Sequence, residues 1–504
     1  MLANTRPELQ VIDASRVSAA DRDWSLARTP VGPRLVARVP AADAASLGGF
    51  EGEAGTSGST TTLVGPLSAR NAAALRRQIP WLAPRPLGLA TSAGFGDRLG
   101  LATPGHVAAL RQVGGSIAPV FAQQSIREMA RTGRTPQQVL DAAMWAVLAA
   151  GWREGFGADA DHLKTSADID ACLQAGFTWF TIDPSEHVEA AADGAAPDTL
   201  APALRALPWS HLEDTEAALR TRYVDRDFDV DGHVIRVDEA AIVRAAVKYG
   251  RAVAHVAQMY RYLRAHVVDG AFDFEVSVDE TESPTSHAEH LYVARELRRL
   301  GVRWTSLAPR YVGRFEKGVD YIGKVADFDR DLAVHAAIAR THGPYKLSLH
   351  SGSDKFAIYP SAVARTGGLV HLKTAGTSYL EALRTLAQVE PGLFRRIYAF
   401  SLGKYEADRA SYHVSGRLDR VPAAETMDDG ALAGLLDDFD ARQVLHVTYG
   451  SVLTARDADN RPLFVDALMA ALREHAAAYT TCVERHFVRH LVPFARPAVE
   501  RGRA

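Results

Sequence analysis

From about residue 83 the chain alternates short runs rich in β-branched and aromatic residues with longer stretches of helical periodicity. This is the pattern of a parallel sheet whose strands are joined by helices. The runs fall at Leu87–Phe95, Ile117–Gln123, Ala158–Leu163, Phe177–Ile182, Phe272–Val278, Val302–Leu307, Tyr345–Leu349 and Leu369–Leu372. Eight strands close a barrel, so the expected fold is α/β, a (β/α)8 barrel of the TIM type. Helix ends are readable between the strands. Ser166 caps ADIDACLQA before Gly176, and Ser286 with Glu289 makes an S-x-x-E capping box for a helix that stops at Gly301.

Three segments depart from this alternation. Residues 1–82 form an N-terminal appendage ending in AADAASLGGFEGEAGTSGSTTTLVG, whose Gly, Ser and Thr read as an exposed loop. An insertion at about 184–268 follows the fourth strand and includes the amphipathic stretch Asp238–Val268. An excursion of that size at a barrel's catalytic face is a candidate lid. Residues 392–504 read as a C-terminal helical extension, with a long helical pattern over Pro462–Phe494, which leaves 83–391 for the barrel.

Composition narrows the partners. The chain has 504 residues, 47% of them apolar, and a formal net charge of −3 with no dense basic run. Nucleic acid and anionic membranes are therefore not expected partners; a small-molecule substrate is, and a homo-oligomer is compatible. Cys172 and Cys482 are the only cysteines, which excludes a disulfide framework and an all-cysteine zinc site and suits a reducing compartment. MLANTRPELQVIDAS lacks a signal pattern and no apolar run is long enough to span a bilayer, so a cytoplasmic location is expected.

Catalytic groups of a barrel stand at the C-terminal ends of its strands. There the sequence places Asp97 and Arg98, Gln123 and Gln124, Asp161 and His162, Asp183, Glu275 and Asp279, Arg310, His350, and His371 with Lys373. Strand-end imidazoles with a carboxylate suit a divalent ion such as Zn, Mn or Ni, acting as a Lewis acid on a carbonyl or hydroxyl oxygen. Plainer readings stand beside this one. A strand-end histidine can be satisfied by a backbone carbonyl, Asp97 and Asp183 can cap helices, and His287, His290, His335 and His342 fall on helical stretches where a solvated role is expected. Only eight of the 57 basic residues are lysines, yet Lys164, Lys355 and Lys373 all sit at strand ends, where a compact charge has a use. In GFGDRLGLATPGH, Leu99 replaces the third glycine of a dinucleotide loop, so no NAD is expected; neither a P-loop nor a G-x-S-x-G elbow occurs.

Together GFGDRLGLATPGH, FAQQSIREM, GADADHLKT, FTWFTIDPSEH, FEVSVDETESPTSHAEH, LSLHSGSDKFAIYP, HLKTAGTSYLEALR and HVTYGSVL resemble the bacterial tagaturonate epimerase family, over roughly residues 85–455. The resemblance implies a metal-dependent isomerase of hexuronate catabolism that interconverts D-tagaturonate and D-fructuronate on a barrel scaffold. The Asp161-His162 pair and LHSGS are also similar to the D-H and H-G-G-S elements of class II aldolases, in which the histidines bind metal and the aspartate moves a proton. Strand-end position and these resemblances imply His162, His350, His371 and Glu275 as metal ligands. They imply Asp161 for proton transfer, with Asp279 or Asp183 second, and Arg98, Lys164, Ser351, Ser353, Lys355 and Lys373 for the substrate. Strand alternation leaves open which of Glu275, Asp279 and Glu280 faces inward. The carbon inverted in this reaction bears a hydroxyl β to the ketone, so its C–H is not acidified, and retro-aldol cleavage with re-addition is the expected route. The competing expectations are a metal-dependent aldolase that releases its fragments and a non-catalytic sugar-binding barrel.

Overall fold

The computed structural model describes residues 9–495 apart from 20, 31 and 269. Its centre is a closed parallel barrel of β1 (Ser92–Gly96), β2 (Ala118–Ser125), β3 (Gly157–Leu163), β4 (Trp179–Ile182), β5 (Asp273–Val278), β6 (Ser306–Pro309), β7 (Lys346–Leu349) and β8 (Val370–Thr374), with β8 pairing back to β1. All eight expected strands are present. Two start four or more residues later than the apolar runs do. Residues 87–90 form a turn because the N–H groups of Leu87 and Gly88 donate to the Asp273 carboxylate, at 2.6 and 3.1 Å, which ties them across the floor of the barrel. The sixth begins at Ser306, after a loop over 302–305.

Outward positions such as Val276, Leu307, Leu347 and Leu372 are buried under helices, as in any parallel sheet covered on its outer face. Inward positions are polar. Lys346 Nζ donates to Ser92 Oγ at 2.8 Å and lies 4.3 Å from the centre of the Trp179 ring, while Ser92 Oγ also meets His371 Nδ1 at 2.9 Å. The axis of the barrel is thus a stack of hydrogen-bonded polar layers, because each buried charge needs a partner where water is absent.

The helices used below are α1 (Thr103–Val113), α2 (Glu239–His266), α3 (His287–Arg299), α4 (Val325–His342), α5 (Thr377–Val389), α6 (Phe439–Val447) and α7 (Ala476–Leu491). The capping box of Ser286 and Glu289 at α3 forms as expected. The cap of Ser166–Ala175 is Thr165, one residue earlier than expected, paired with Asp168. His290 and His335 are not on solvated faces; both are buried where α3 meets α4, hydrogen-bonded to each other at 2.8 Å.

The stretch read as an exposed loop is ordered. Residues 41–49 form a 3-10 helix, and Glu53–Ser57 and Thr60–Gly65 pair within a five-stranded antiparallel sheet. Thr61 and Leu63 alternate inward there, a period of two that the Gly and Ser content masks. The insertion does not form a lid. Its helices Pro197–Arg205 and Glu216–Tyr223 pack on α2, and its hairpin packs on α3 and α4, along the flank of the barrel. The pattern over Pro462–Phe494 is two helices, Val465–Glu474 and α7, broken at His475.

The α7 helix packs against α1 and α5. Contact with α1 is close at Gly105, where an added Cβ would lie 2.6 Å from Val483 Cβ and 2.9 Å from the Thr480 carbonyl oxygen. Gly105→Ala should therefore lower stability by about 1–3 kcal/mol through overpacking. Denaturant unfolding measures this, and an unchanged midpoint would show that the helices separate freely.

Candidate active site

The lowest layer of the site is centred on Lys373. Its ammonium, buried on the barrel axis, lies 2.9 Å from Asp159, 2.7 Å from Asp161 and 2.8 Å from Glu275, and donates to Thr181 Oγ1 at 2.8 Å. Thr181 donates in turn to Asp159 at 2.9 Å. Burial opposes charge on every member, yet His162 with Lys373 holds Asp161, and Lys373 with His350 holds Glu275, well below the ordinary carboxylate range, while the three carboxylates hold Lys373 well above the ordinary amine. Asp159 is the exception. Burial outweighs its attraction to Lys373, the charges of Asp161 and Glu275 add to the effect, and its carboxyl is pushed up to about 7.

Two of these carboxylates reach upward to a histidine. His162 Nδ1 lies 2.9 Å from Asp161 Oδ1, and His350 Nε2 lies 2.6 Å from Glu275 Oε1. The opposite ring nitrogens face the mouth: His162 Nε2 is 3.5 Å from Glu280, and His350 Nδ1 is 2.9 Å from Asp279 but off the hydrogen-bonding direction. Burial alone would depress both imidazoles. Asp161, with Glu280 behind it, instead holds His162 up to about 10, and Asp279 with Glu275 holds His350 up to about 9. His162 and Ser351 have left-handed backbones, φ 55° and 50°, which side-chain-bearing residues seldom adopt.

Above this layer is a cavity of about 220 Å³ lined by Arg98, Arg127, Asp161, His162, Asp279, Glu280, Lys317, His350, Ser351 and Lys373, among others, and roofed by Phe315, Tyr412 and His413. All three of Glu275, Asp279 and Glu280 face the site, the first at its floor and the others at its rim. Other sequence candidates lie elsewhere. His371 is one layer deeper, bonded to Ser92 and 4.5 Å from the Trp179 ring. Lys164 pairs with Glu186 at 2.9 Å on the exterior. The buried Lys355 donates to the carbonyls of Glu316, Val319 and Ser353, so it anchors a loop and Ser353 contributes its backbone to that anchor. Asp183 stays beside the site: one oxygen accepts from the Ser185 N–H at 2.9 Å, the other is buried without a hydrogen bond, and the carboxylate groups with His162 and Glu280 within 4.8 Å. Asp97 accepts from the backbones of Leu99, Gly100 and Ala102. Arg98, by contrast, lines the cavity, held by Glu128 and 3.5 Å over the Tyr449 ring.

Sequence reasoning missed Asp159, Arg127, Lys317 and the roof. Asp159 sits two residues before Asp161 on the same strand face, and that period-two spacing was the available signal. Arg127 follows a strand by two residues and holds Glu280 at 2.7 Å, while Lys317 arrives from a loop and donates to Ser351 Oγ at 2.6 Å.

A closed (β/α)8 barrel with charged groups gathered at the C-terminal ends of its strands is the arrangement of a barrel enzyme. The chain matches the tagaturonate epimerase family (UxaE) over residues 41–493, and it belongs to that family. It is 46% identical to the tagaturonate/fructuronate epimerase of Thermotoga maritima over 426 residues, 84% of each chain. A glycerol-complexed crystal structure of the fructuronate-tagaturonate epimerase of Cohnella laeviribosi superposes with a TM-score of 0.90 at 38% identity, over 96% of both chains. The native crystal structure of the same protein gives 0.89 at 38% identity, over 98% of this chain and 97% of that one.

The proton on Asp159 has a measurable sign. The folded chain holds it up to about 7, whereas the unfolded group releases it near 3.8, so between those values the folded state binds more protons. This group's contribution to stability therefore falls as pH rises through that window. Asp159→Asn removes the dependence, so the variant should gain stability relative to the parent between about pH 4 and pH 7 in denaturant unfolding. A difference independent of pH would mean that Asp159 is ionised throughout.

Proposed function

We propose that this chain interconverts tagaturonate and fructuronate in the cavity at the barrel mouth, the activity named for its relatives. The observation that carries the reading is the pair His162 and His350, each with one ring nitrogen on a buried carboxylate and the other turned to the mouth. The donor set fits a divalent ion. His162, Asp279 and His350 bring ligand atoms within 4.8 Å of one another, and His350 Nδ1 is buried without a hydrogen bond. Asp161 and Glu275 fix the two tautomers from behind, as carboxylates do for metal-bound imidazoles.

His162, His350 and Asp279 would hold Zn, Mn or Ni, and the ion when bound supplies Lewis acidity toward the ketone and hydroxyl oxygens. Glu275 thereby serves as the carboxylate behind a ligand rather than as a ligand. Asp161 takes the β-hydroxyl proton as the bond between the α and β carbons breaks. The bond's electron pair passes into the enediolate of the ketone fragment, and the β carbon becomes an aldehyde. After the aldehyde turns, the bond re-forms on its other face and Asp161 returns the proton. Lys373 keeps Asp161 ionised between turnovers. Arg98, whose Nη1 is buried without a partner, and Lys317 supply positive charge for the substrate carboxylate. We place the protein in the cytoplasm, where Cys172 and Cys482, buried and unpaired, stay reduced. Among the described residues no helix is long and apolar enough to cross a membrane.

Purified protein given tagaturonate should form fructuronate, lose this activity on chelation and recover it with a divalent transition ion. His350→Ala should hold less metal and lose about 100-fold or more in kcat/KM, read from product formation and metal content. Full turnover by a verified metal-free preparation would remove the metal from the mechanism.

The carbon chemistry is tested separately. Substrate deuterated at the inverted carbon should keep its label and show no large primary isotope effect, because that C–H bond never breaks on the retro-aldol route. Label lost to water, or a large primary effect, would leave an epimerase working by another route.

A further inference from the structure

One cluster of metal-type side chains lies away from the mouth and has no part in the reaction above. His287 opens α3, and Asp331 and His335 lie one turn apart on α4. His287 Nε2 is 3.0 Å from Asp331 Oδ1, and His335 Nε2 is 3.5 Å from Asp331 Oδ2. The three ligand atoms lie within 4.8 Å of one another. His335 is fully buried, and its Nε2 makes no hydrogen bond.

We propose that His287, Asp331 and His335 form a second divalent-cation site, of the zinc class, that fastens α4 to the start of α3. An ion about 2.0–2.2 Å from each ligand requires ligand atoms about 3–3.5 Å apart; the two histidines stand 3.0 and 3.5 Å from Asp331, one at each carboxylate oxygen, and all three groups offer ligand atoms within 4.8 Å of one another. The surroundings also set the tautomer. His335 Nδ1 lies 2.8 Å from His290 Nδ1, and His290 Nε2 lies 2.8 Å from the Tyr345 hydroxyl. Facing ring nitrogens share one proton. With it on His335 Nδ1, donated to His290, the Nε2 lone pair is bare and points at the site, and His290 donates onward to Tyr345. With the proton on His290 instead, His335 Nε2–H has only Asp331 at 3.5 Å and misaligned. The half-exposed His287 leaves a side open for water as a fourth ligand.

A site there holds more than two helices. The segment between β5 and α3 carries Asp279 and Glu280, and its end is pinned by Thr285, whose N–H donates to the Arg310 carbonyl at 2.8 Å and whose hydroxyl accepts from the Arg310 N–H at 3.0 Å. A cation on His287 would fix the next two residues of that segment. The similarly close group Asp354, His486 and His490 is different. His490 Nε2 already accepts the Asp354 N–H at 2.8 Å, and Arg442 stands 3.1 Å from the other Asp354 oxygen, so a cation is already in place.

The test uses the full chain carrying His350→Ala, so that the mouth ligand set is broken in every sample. Metal-stripped protein is titrated with Zn(II), reading bound zinc after gel filtration and the shift of Tm. His350→Ala should bind one more equivalent than His350→Ala/His287→Ala, and zinc should raise the Tm of the first by several degrees and leave the second unmoved. Asp331→Asn in the same background should match His287→Ala, which guards against local misfolding at either residue. Equal zinc content and equal Tm shifts in all three variants overturn the site, whatever the mouth binds.

Discussion

The site depends on one buried ammonium. Lys373 stands on the barrel axis among Asp159, Asp161 and Glu275, and each of these charges would cost several kcal/mol to bury alone. They are tolerable only together. Because Lys373 fixes Asp161 and Glu275 in place, those carboxylates can present fixed oxygens to His162 and His350, and the imidazoles in turn present one free nitrogen each to the mouth. With Asp279 and Glu280 at the rim, negative charge there exceeds what Lys373 and Arg127 balance. The field that raises both histidines favours any cation, so protons would compete with the proposed divalent ion for the same nitrogens.

Strand geometry sets a second constraint, and the backbone meets it with strain. Successive side chains of a strand point to opposite faces, so Asp161 and His162 should not share a site. They do, because β3 shifts register between Ala160 and Leu163 and His162 adopts φ 55°. Ser351, at φ 50°, does the same beside His350. A left-handed non-glycine residue costs on the order of 1 kcal/mol or more and persists only where its surroundings hold it. Here the holding groups are the hydrogen bonds from His162 to Asp161 and from Lys317 to Ser351.

The barrel was legible because short runs rich in β-branched and aromatic residues alternate with helical stretches eight times, each run near a polar strand end. The N-terminal sheet was not, because Thr61 and Leu63 alternate within a stretch whose Gly and Ser content reads as loop. At the site, His162, His350, Asp161 and Lys373 were legible from strand-end position. Depth was not: His371 and Lys373 share a face but stand about 6.6 Å apart along the strand, which puts one against Trp179 and the other beneath the cavity. Lys355 and Lys373 look alike in sequence, and only the loop from Glu316 to Val319 folding over Lys355 distinguishes an anchor from a site residue.

Enclosure is what separates an epimerase of the proposed kind from an aldolase that shares its first step. After the carbon–carbon bond opens, the aldehyde must turn and re-add before it escapes, so the mouth has to hold two small polar fragments at once. The C-terminal extension supplies much of that roof. Tyr412 and His413 close one side of the cavity, and Tyr449 backs Arg98 at 3.5 Å. From beneath, α7 holds the strand-end loop: His486 lies 2.6 Å from Asp354, and His490 accepts the Asp354 N–H at 2.8 Å, next to the loop that presents His350 and Ser351. A barrel ending at its eighth strand would keep the charges of the site and lose the walls that retain the fragments. On the proposed route the extension would decide the product by retaining both fragments, while Lys373 and its carboxylates would decide whether the bond can open.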